Sequence, residues 1–162
     1  MSRHHPVHIT LRLVAGLESL RSRQCYRAVL PALAAGKERE GFRVVHLSVQ
    51  GNHLHLIVEA NDRPALSRGV QGLAIRVAKA LNAALGRRGK VFAERFHMHV
   101  LRTVREVANA VDYVLSNLFR HAGRTVGIDD IDRLSSAADR SLVVSAQTWL
   151  LRVGTWRFGP SG

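Results

Sequence analysis

Apolar and polar residues alternate with a period of two over residues 7–14, which predicts a first strand with one buried face. Denser apolar patterns over residues 42–49 and 54–60 predict two further strands. The short segment between them, Gln50-Gly51-Asn52, is typical of a hairpin connection because glycine adopts positive φ at little cost. The second and third strands are therefore expected to pair with each other.

Apolar residues recur every three or four positions over residues 22–40, 65–85 and 104–121, which predicts three helices. Pro31 falls inside the first of them, where we expect it to kink or end the helix. Residues 91–101 are predicted as a fourth strand. The resulting order, βαββαβ with an added C-terminal helix, indicates an α+β domain with a ferredoxin-like antiparallel sheet. The first and third strands are central in such a sheet.

The chain is strongly basic: 24 Lys and Arg against 12 Asp and Glu give a net charge of +12. Most of the cations are arginines, whose guanidinium groups match phosphate oxygens, so a polyanion is the expected partner. A solvated charged face would give the same pattern. The arginines that we expect to contact DNA are Arg12, Arg87, Arg88, Arg95 and Arg102.

Length and composition limit the alternatives. The 162 residues, 46% of them apolar, suit one compact domain with an appended segment. Cys25 is the only cysteine, so an intramolecular disulfide and a thiolate zinc cluster are excluded, which fits a reducing cytoplasm. We expect no membrane span, because no apolar run approaches the roughly 20 residues that a bilayer requires. The start of the chain does not have the pattern of a secretory signal.

Two histidines separated by one leucine, His53 and His55, are the first candidate site. On a strand they project from one face, where they could share a divalent cation, while Leu54 points into the core. His97 and His99 have the same spacing, but on a predicted edge strand, where they are expected to face solvent or phosphate. His8 could face the site from the neighbouring strand, but an ordinary polar-face position is the favoured interpretation.

A tyrosine and an asparagine, Tyr113 and Asn117, are the second candidate pair. Four residues apart on a helix, they share a face, so a phenol and an amide oxygen could approach one ion together. The structural alternative is a tyrosine ring packed on the core with its hydroxyl in water. Tyr26, the only other tyrosine, is expected to be structural.

Three segments, 4–12, 51–58 and 113–117, together resemble the single-tyrosine HUH transposases, and among them the REP-associated tyrosine transposases. The resemblance extends over residues 4–123. The second segment resembles the HUH motif, and the third contains the tyrosine and the polar residue four positions on. Relatives typically follow the tyrosine with Asn-Pro, whereas here Asn117 is followed by Leu118.

The resemblance implies a metal-dependent single-stranded DNA endonuclease and strand transferase that acts at DNA hairpins. In this chain it implies that Tyr113 attacks the phosphodiester to form a 5′-phosphotyrosine, and that His53, His55 and Asn117 bind Mg²⁺ or Mn²⁺. Residues 1–123 would form the catalytic domain and residues 124–162 a tail, in a cytoplasmic, nucleoid-associated monomer or homodimer.

Two other functions compatible with the pattern are a noncatalytic, domesticated nucleic-acid-binding protein and a nickase of the relaxase or replication-initiator kind. An RNA-binding sheet is less well supported, since only 6% of the residues are aromatic. In the tail, Trp149 and Trp156 are interleaved with arginines, so this segment could stack on DNA bases or dock back on the domain.

Overall fold

The computed structural model describes residues 1–121 and 133–155, and of residues 117–121 it describes the backbone alone. Five strands and four helices occur in this part of the chain. The strands are β1 (Val7–Arg12), β2 (Glu38–Arg39), β3 (Phe42–Val49), β4 (His53–Ala60) and β5 (His97–Val100). The helices are α1 (Arg23–Gly36), α2 (Arg63–Ala84), α3 (Val104–His121) and α4 (Trp149–Gly154).

The strands form one antiparallel sheet in the order β2-β3-β4-β1-β5. The predicted α+β, ferredoxin-like architecture is therefore confirmed, with β1 and β4 at the centre. Thr10 on β1 lies opposite His55 on β4 and opposite His97 on β5, while His8 lies opposite His99. This register brings histidines of three strands onto one face of the sheet. The sequence pattern did not predict β2, a two-residue hairpin partner of β3.

One face of the sheet packs against α1 and α2 to form the larger hydrophobic core. Each helix begins with a side-chain cap: Ser22 accepts from the Cys25 N–H, and Asp62 accepts from the Ala65 N–H. The close packing of α2 on the sheet depends on Gly69, because the Phe42 ring occupies the space that a Cβ would need. The apolar residues of β1 and β4 point into this core.

The opposite face of the sheet is covered by α3 and α4. Val107, Val111 and Val114 of α3 pack on Ile57 in a second core, which the buried Leu151 of α4 joins. Because α3 contains Tyr113 and this face of β4 contains His55, the second core fixes the position of the tyrosine relative to the histidine pair.

Two expectations from the sequence were wrong. The strand predicted over residues 91–101 is β5, and it extends only over His97–Val100. A bend at residues 94 and 95 interrupts its pairing with β1, so that before the bend only Phe92 forms an isolated bridge, to Leu13. The first helix, expected over residues 22–40, ends at Gly36 because residues 38 and 39 form β2, and it continues past Pro31, which lies on its exposed side.

The C-terminal segment returns along the edge of β3 that β2 leaves uncovered. The Val49 N–H donates to the Leu134 carbonyl at 2.9 Å, and the Val144 N–H donates to the Val44 carbonyl at 2.9 Å. Leu150 and Leu151 are buried in the second core, as the docking interpretation expects. Residues 124–132 of the predicted tail, and Trp156, lie outside the described residues.

Candidate active site

The histidine pair lies where β4 begins, on the face of the sheet that α3 covers. The ring centroids of His53 and His55 are 4.5 Å apart, with the ring planes at 90°. His53 is half-buried and His55 only 4% exposed, whereas Leu54 is fully buried on the other face. The strand therefore presents both imidazoles to one place, as the two-residue spacing predicts.

Each of these imidazoles has a polar neighbour at Nδ1. Nδ1 of His53 lies 2.6 Å from Oδ1 of Asn52, and Nδ1 of His55 lies 3.2 Å from Nε2 of His8 and 3.3 Å from Oγ1 of Thr10. An amide oxygen only accepts, so His53 has its proton on Nδ1 in this contact. In this tautomer the lone pair is on Nε2, which is the nitrogen that would bind a metal ion. His55 reaches the same tautomer if its Nδ1 donates to His8 or Thr10.

The tyrosine of α3 lies against these histidines in the same chain. The Tyr113 ring centroid is 5.1 Å from that of His55 at an interplanar angle of 79°, and 6.0 Å from that of His8 at 66°. The predicted proximity of Tyr113 to the histidine pair is thus present. Asn117 follows one turn later on α3, but its side chain lies outside the described residues.

A cavity of about 450 Å³ opens beside Tyr113, between α3, β1 and β5. Burial, and secondarily the charge of His99, lowers the pKa of His8, so this imidazole is neutral at pH 7. His99 itself is largely exposed and lies 3.7 Å from the Glu106 carboxylate. Hydrogen bonds from the backbone N–H groups of Arg102 and Thr103 lower the pKa of Glu106. The cavity wall next to the phenol is consequently polar.

The candidate DNA-contacting arginines differ in their surroundings. Arg12 ends β1, exposed and opposite His53 in the register, so its charge is nearest the histidine pair. Arg87 donates to Oδ1 of Asn82 and to the Lys90 carbonyl, and these hydrogen bonds stabilise the turn that follows α2. The remaining three are exposed: Arg88, Arg95 and Arg102.

Among the described side chains, those of residues 1–116 and 133–155, no group of three or more His, Cys, Asp and Glu is arranged to hold a metal ion. His53 and His55 are two nitrogen ligands, so a cation here would need a further donor of another kind, such as an amide oxygen or water.

Comparison with known proteins gives a structural match but no sequence match. No family model matches the chain, and no curated protein matches it. A solved structure of a REP-associated tyrosine transposase bound to a REP hairpin superimposes with a TM-score of 0.63 at 18% identity, covering 89% of this chain and 87% of that one. The chain has the fold of this tyrosine transposase. No described helix is long and apolar enough to span a bilayer.

Within this transposase fold, the sequence pattern gave too little weight to the residues that hold the histidines. Asn52 was interpreted only as part of a turn, and Thr10 only as a polar strand position. His8 lies on the site rather than at an ordinary polar-face position, 3.2 Å from His55. His8 and Thr10 are two residues apart on β1, so their side chains lie on the same face of the sheet, and this spacing could have indicated that both face the site. Cys25 lies in the larger hydrophobic core and Tyr26 packs against it, on the face of the sheet opposite to the histidine pair.

Proposed function

We propose that this chain is a metal-dependent single-stranded DNA endonuclease and strand transferase, a transposase that cuts through a 5′-phosphotyrosine. The observation that carries the proposal is the packing of Tyr113 against His55 at 5.1 Å within one chain. It supplies a nucleophile beside a pair of ligand imidazoles on a rigid sheet.

The histidine pair fits a divalent cation by the chemistry of its donors. His53 is fixed as the tautomer with an Nε2 lone pair by Asn52, and the contacts of His55 Nδ1 with His8 and Thr10 permit the same tautomer. The resemblance adds Asn117, one helical turn after Tyr113 on α3, as the third protein ligand. Nitrogen and amide oxygen suit Mg²⁺ or Mn²⁺, and the imidazoles favour Mn²⁺.

A cation bound there would neutralise charge on a nonbridging phosphate oxygen. The phenolic oxygen of Tyr113 forms a bond to phosphorus, and the bond from phosphorus to the 3′ oxygen breaks. The 3′ oxygen leaves as a hydroxyl after it takes up a proton. Where Nδ1 of His55 donates to Nε2 of His8, that nitrogen of His8 is already hydrogen-bonded, so water in the adjoining cavity receives the phenol proton. The phosphotyrosine conserves the energy of the ester for a later strand transfer.

The DNA form that we propose is a hairpin with a single-stranded flank. The structurally similar transposase was solved with a REP hairpin, and this chain has a net charge of +12 to attract DNA. The first candidates for phosphate contacts are two exposed arginines: Arg12, which lies opposite His53 in the sheet, and Arg102, which follows the cavity residue Leu101.

The test is strand cleavage of end-labelled hairpin DNA from the flanks of the gene, in Mn²⁺, with and without a chelator. We expect a free 3′-hydroxyl product and a protein-linked 5′ product with the wild-type chain, and neither with Tyr113→Phe or after chelation. Tyr26→Phe is the matched control and should cut normally. Binding without cleavage by all three proteins would replace the catalytic proposal with a nucleic-acid-binding role.

A further inference from the structure

A tryptophan at the start of α4 is left in water. The Trp149 side chain is 68% exposed, the largest fraction among the exposed large hydrophobic residues of the described chain. Its neighbours Leu150 and Leu151 are buried in the second core, so α4 is docked and Trp149 is held on its outer side. An indole fixed in this way offers a flat apolar surface to a ligand.

A second cavity, of about 210 Å³, lies next to this indole. The side chains that give it its chemistry come from the N-terminal residues, from the ends of β3 and β4, and from α4. They are Arg3, His4, Arg43, Glu59, Asn61 and Trp149. The lining therefore contains two guanidinium groups, one carboxylate and an exposed aromatic ring, and its net charge is positive.

The carboxylate is already occupied by the protein. Glu59 is 4% exposed and accepts hydrogen bonds from the backbone N–H groups of Gln147 and Thr148 at 2.7–3.1 Å. Its Oε2 also lies 3.6 Å from Nε of Arg43. Glu59 therefore serves to hold the C-terminal segment and to orient Arg43.

The ion pair with Glu59 leaves part of the hydrogen-bonding capacity of the Arg43 guanidinium group unused. Its Nη1 is buried and has no hydrogen-bond partner within the described residues. A buried guanidinium N–H without an acceptor is uncommon, because the group forfeits its hydration without a replacement. The Arg43 side chain lines the cavity together with Arg3, and two guanidinium groups in one cavity are a donor set suited to phosphate oxygens.

We propose that this cavity binds one nucleotide of the single-stranded flank, with its phosphate on Arg43 and Arg3 and its base stacked on Trp149. The inference rests on the proposed function and deepens it. Glu59 and His55 share a face of β4 and are four residues apart, which places the cavity roughly 13 Å from the catalytic histidine along the strand. Val107 and Val111 of α3 cover Ile57 between the two places, so a DNA strand that leaves Tyr113 reaches the cavity by passing around α3.

The test uses the fluorescence of Trp149 in the full chain with Trp156→Phe, which makes Trp149 the only tryptophan. The probes are a hairpin with its single-stranded flank and the same hairpin without it. We expect the flanked hairpin alone to quench the emission. We also expect Trp149→Ala to weaken binding of the flanked hairpin about tenfold, and Arg3→Gln to weaken it and reduce the salt slope by about one. Ile75→Ala, an exposed apolar change on α2, is the control and should bind normally.

The outcomes separate the two proposals. DNA binding with unchanged Trp149 emission, and unchanged affinity in Trp149→Ala, would overturn this inference and leave the proposed function standing. Loss of self-association in Trp149→Ala with unchanged DNA affinity would assign the indole to a protein contact and overturn it too. If neither hairpin binds to wild type, both proposals fail together. Because Arg3 is exposed, Arg3→Gln tests the phosphate contact without altering the partly buried Arg43.

Discussion

Tyr113 and His55 face each other across the interface between α3 and the sheet, with ring centroids 5.1 Å apart and planes at 79°. Tyr113 is fixed by the valines that surround it on α3, and His55 by the ladder of β4 on both sides. Neither contact depends on a second copy of the chain. Tyr113 and the histidine pair therefore lie together within one chain, which is the proximity that the proposed attack on phosphorus requires.

His8 is expected to act through His55 rather than on DNA. In His8→Ala, Nδ1 of His55 loses a polar neighbour at 3.2 Å, so the tautomer with the lone pair on Nε2 is less favoured. We expect Mn²⁺ affinity, measured by calorimetry or electron paramagnetic resonance without DNA, to fall about tenfold. His8→Gln, which keeps an acceptor, should recover most of the affinity. His97→Ala on the edge strand is the control, and equal losses in both alanine variants would argue against the assignment.

His46 predicts a pH-dependent stability. It is 3% exposed, neither ring nitrogen has a hydrogen-bond partner in the described residues, and burial, with the nearby charge of Arg140, lowers its pKa to about 4. The unfolded chain, with an ordinary histidine pKa near 6.5, binds this proton first as the pH falls. The contribution of His46 is therefore complete above pH 6.5 and is lost between pH 6.5 and about 4, by up to about 1.4 kcal/mol per pH unit.

Denaturant unfolding at several pH values tests this effect. His46→Leu should flatten the pH dependence over that range and, by removing two unpaired buried nitrogens, raise the stability at pH 7 by about 1 kcal/mol. His97→Gln alters an exposed histidine and should leave the slope as in wild type. A slope that is the same in His46→Leu and wild type would assign the proton uptake to other groups.

Two glycines of α2 predict opposite effects of the same substitution. A methyl group on Gly69 would collide with the buried Phe42 ring, so Gly69→Ala should lower the free energy of unfolding by about 1–3 kcal/mol. At Gly72 the nearest atom is 3.3 Å away, at the flexible end of Arg39. Gly72→Ala should therefore raise stability by about 0.5–1 kcal/mol through helix propensity. Equal shifts in the thermal midpoints of the two variants would show that Phe42 does not limit the approach of α2.

Glu59 is expected to hold the C-terminal segment on the sheet. Glu59→Gln replaces the charged acceptor of the Gln147 and Thr148 N–H groups and removes the ion pair with Arg43. Hydrogen exchange at residues 144–152 should become about tenfold faster, while exchange in β1 is unchanged. Glu38→Gln, an exposed change on β2, is the matched control. Undiminished protection in Glu59→Gln would mean that Leu150 and Leu151 suffice to dock the segment.

Local patterns predicted the sheet and its helices, because β1 alternates buried and less buried residues and β3 and β4 are short, nearly continuous apolar runs. Phe42–Val49 was predicted with its observed bounds, and so was Val104–His121. The relation between strands was harder to predict, because the register that sets His8 beside His55 depends on pairing between distant segments. The same reason explains why Asn52 and Thr10 were not predicted to orient the histidines. The contact between Glu59 and the Gln147 N–H joins segments 88 residues apart, and no local pattern records it.

The most direct test of the central claim is the mass of the peptide that becomes linked to DNA. Wild type is incubated with a flanked hairpin and Mn²⁺, denatured, digested with nuclease and protease, and analysed by mass spectrometry. The account predicts a nucleotide phosphate attached to Tyr113, in wild type and in Tyr26→Phe, and no adduct in Tyr113→Phe or in the presence of chelator. An adduct that persists in Tyr113→Phe would contradict it, and so would tight hairpin binding by wild type with no adduct in Mn²⁺ or in Mg²⁺.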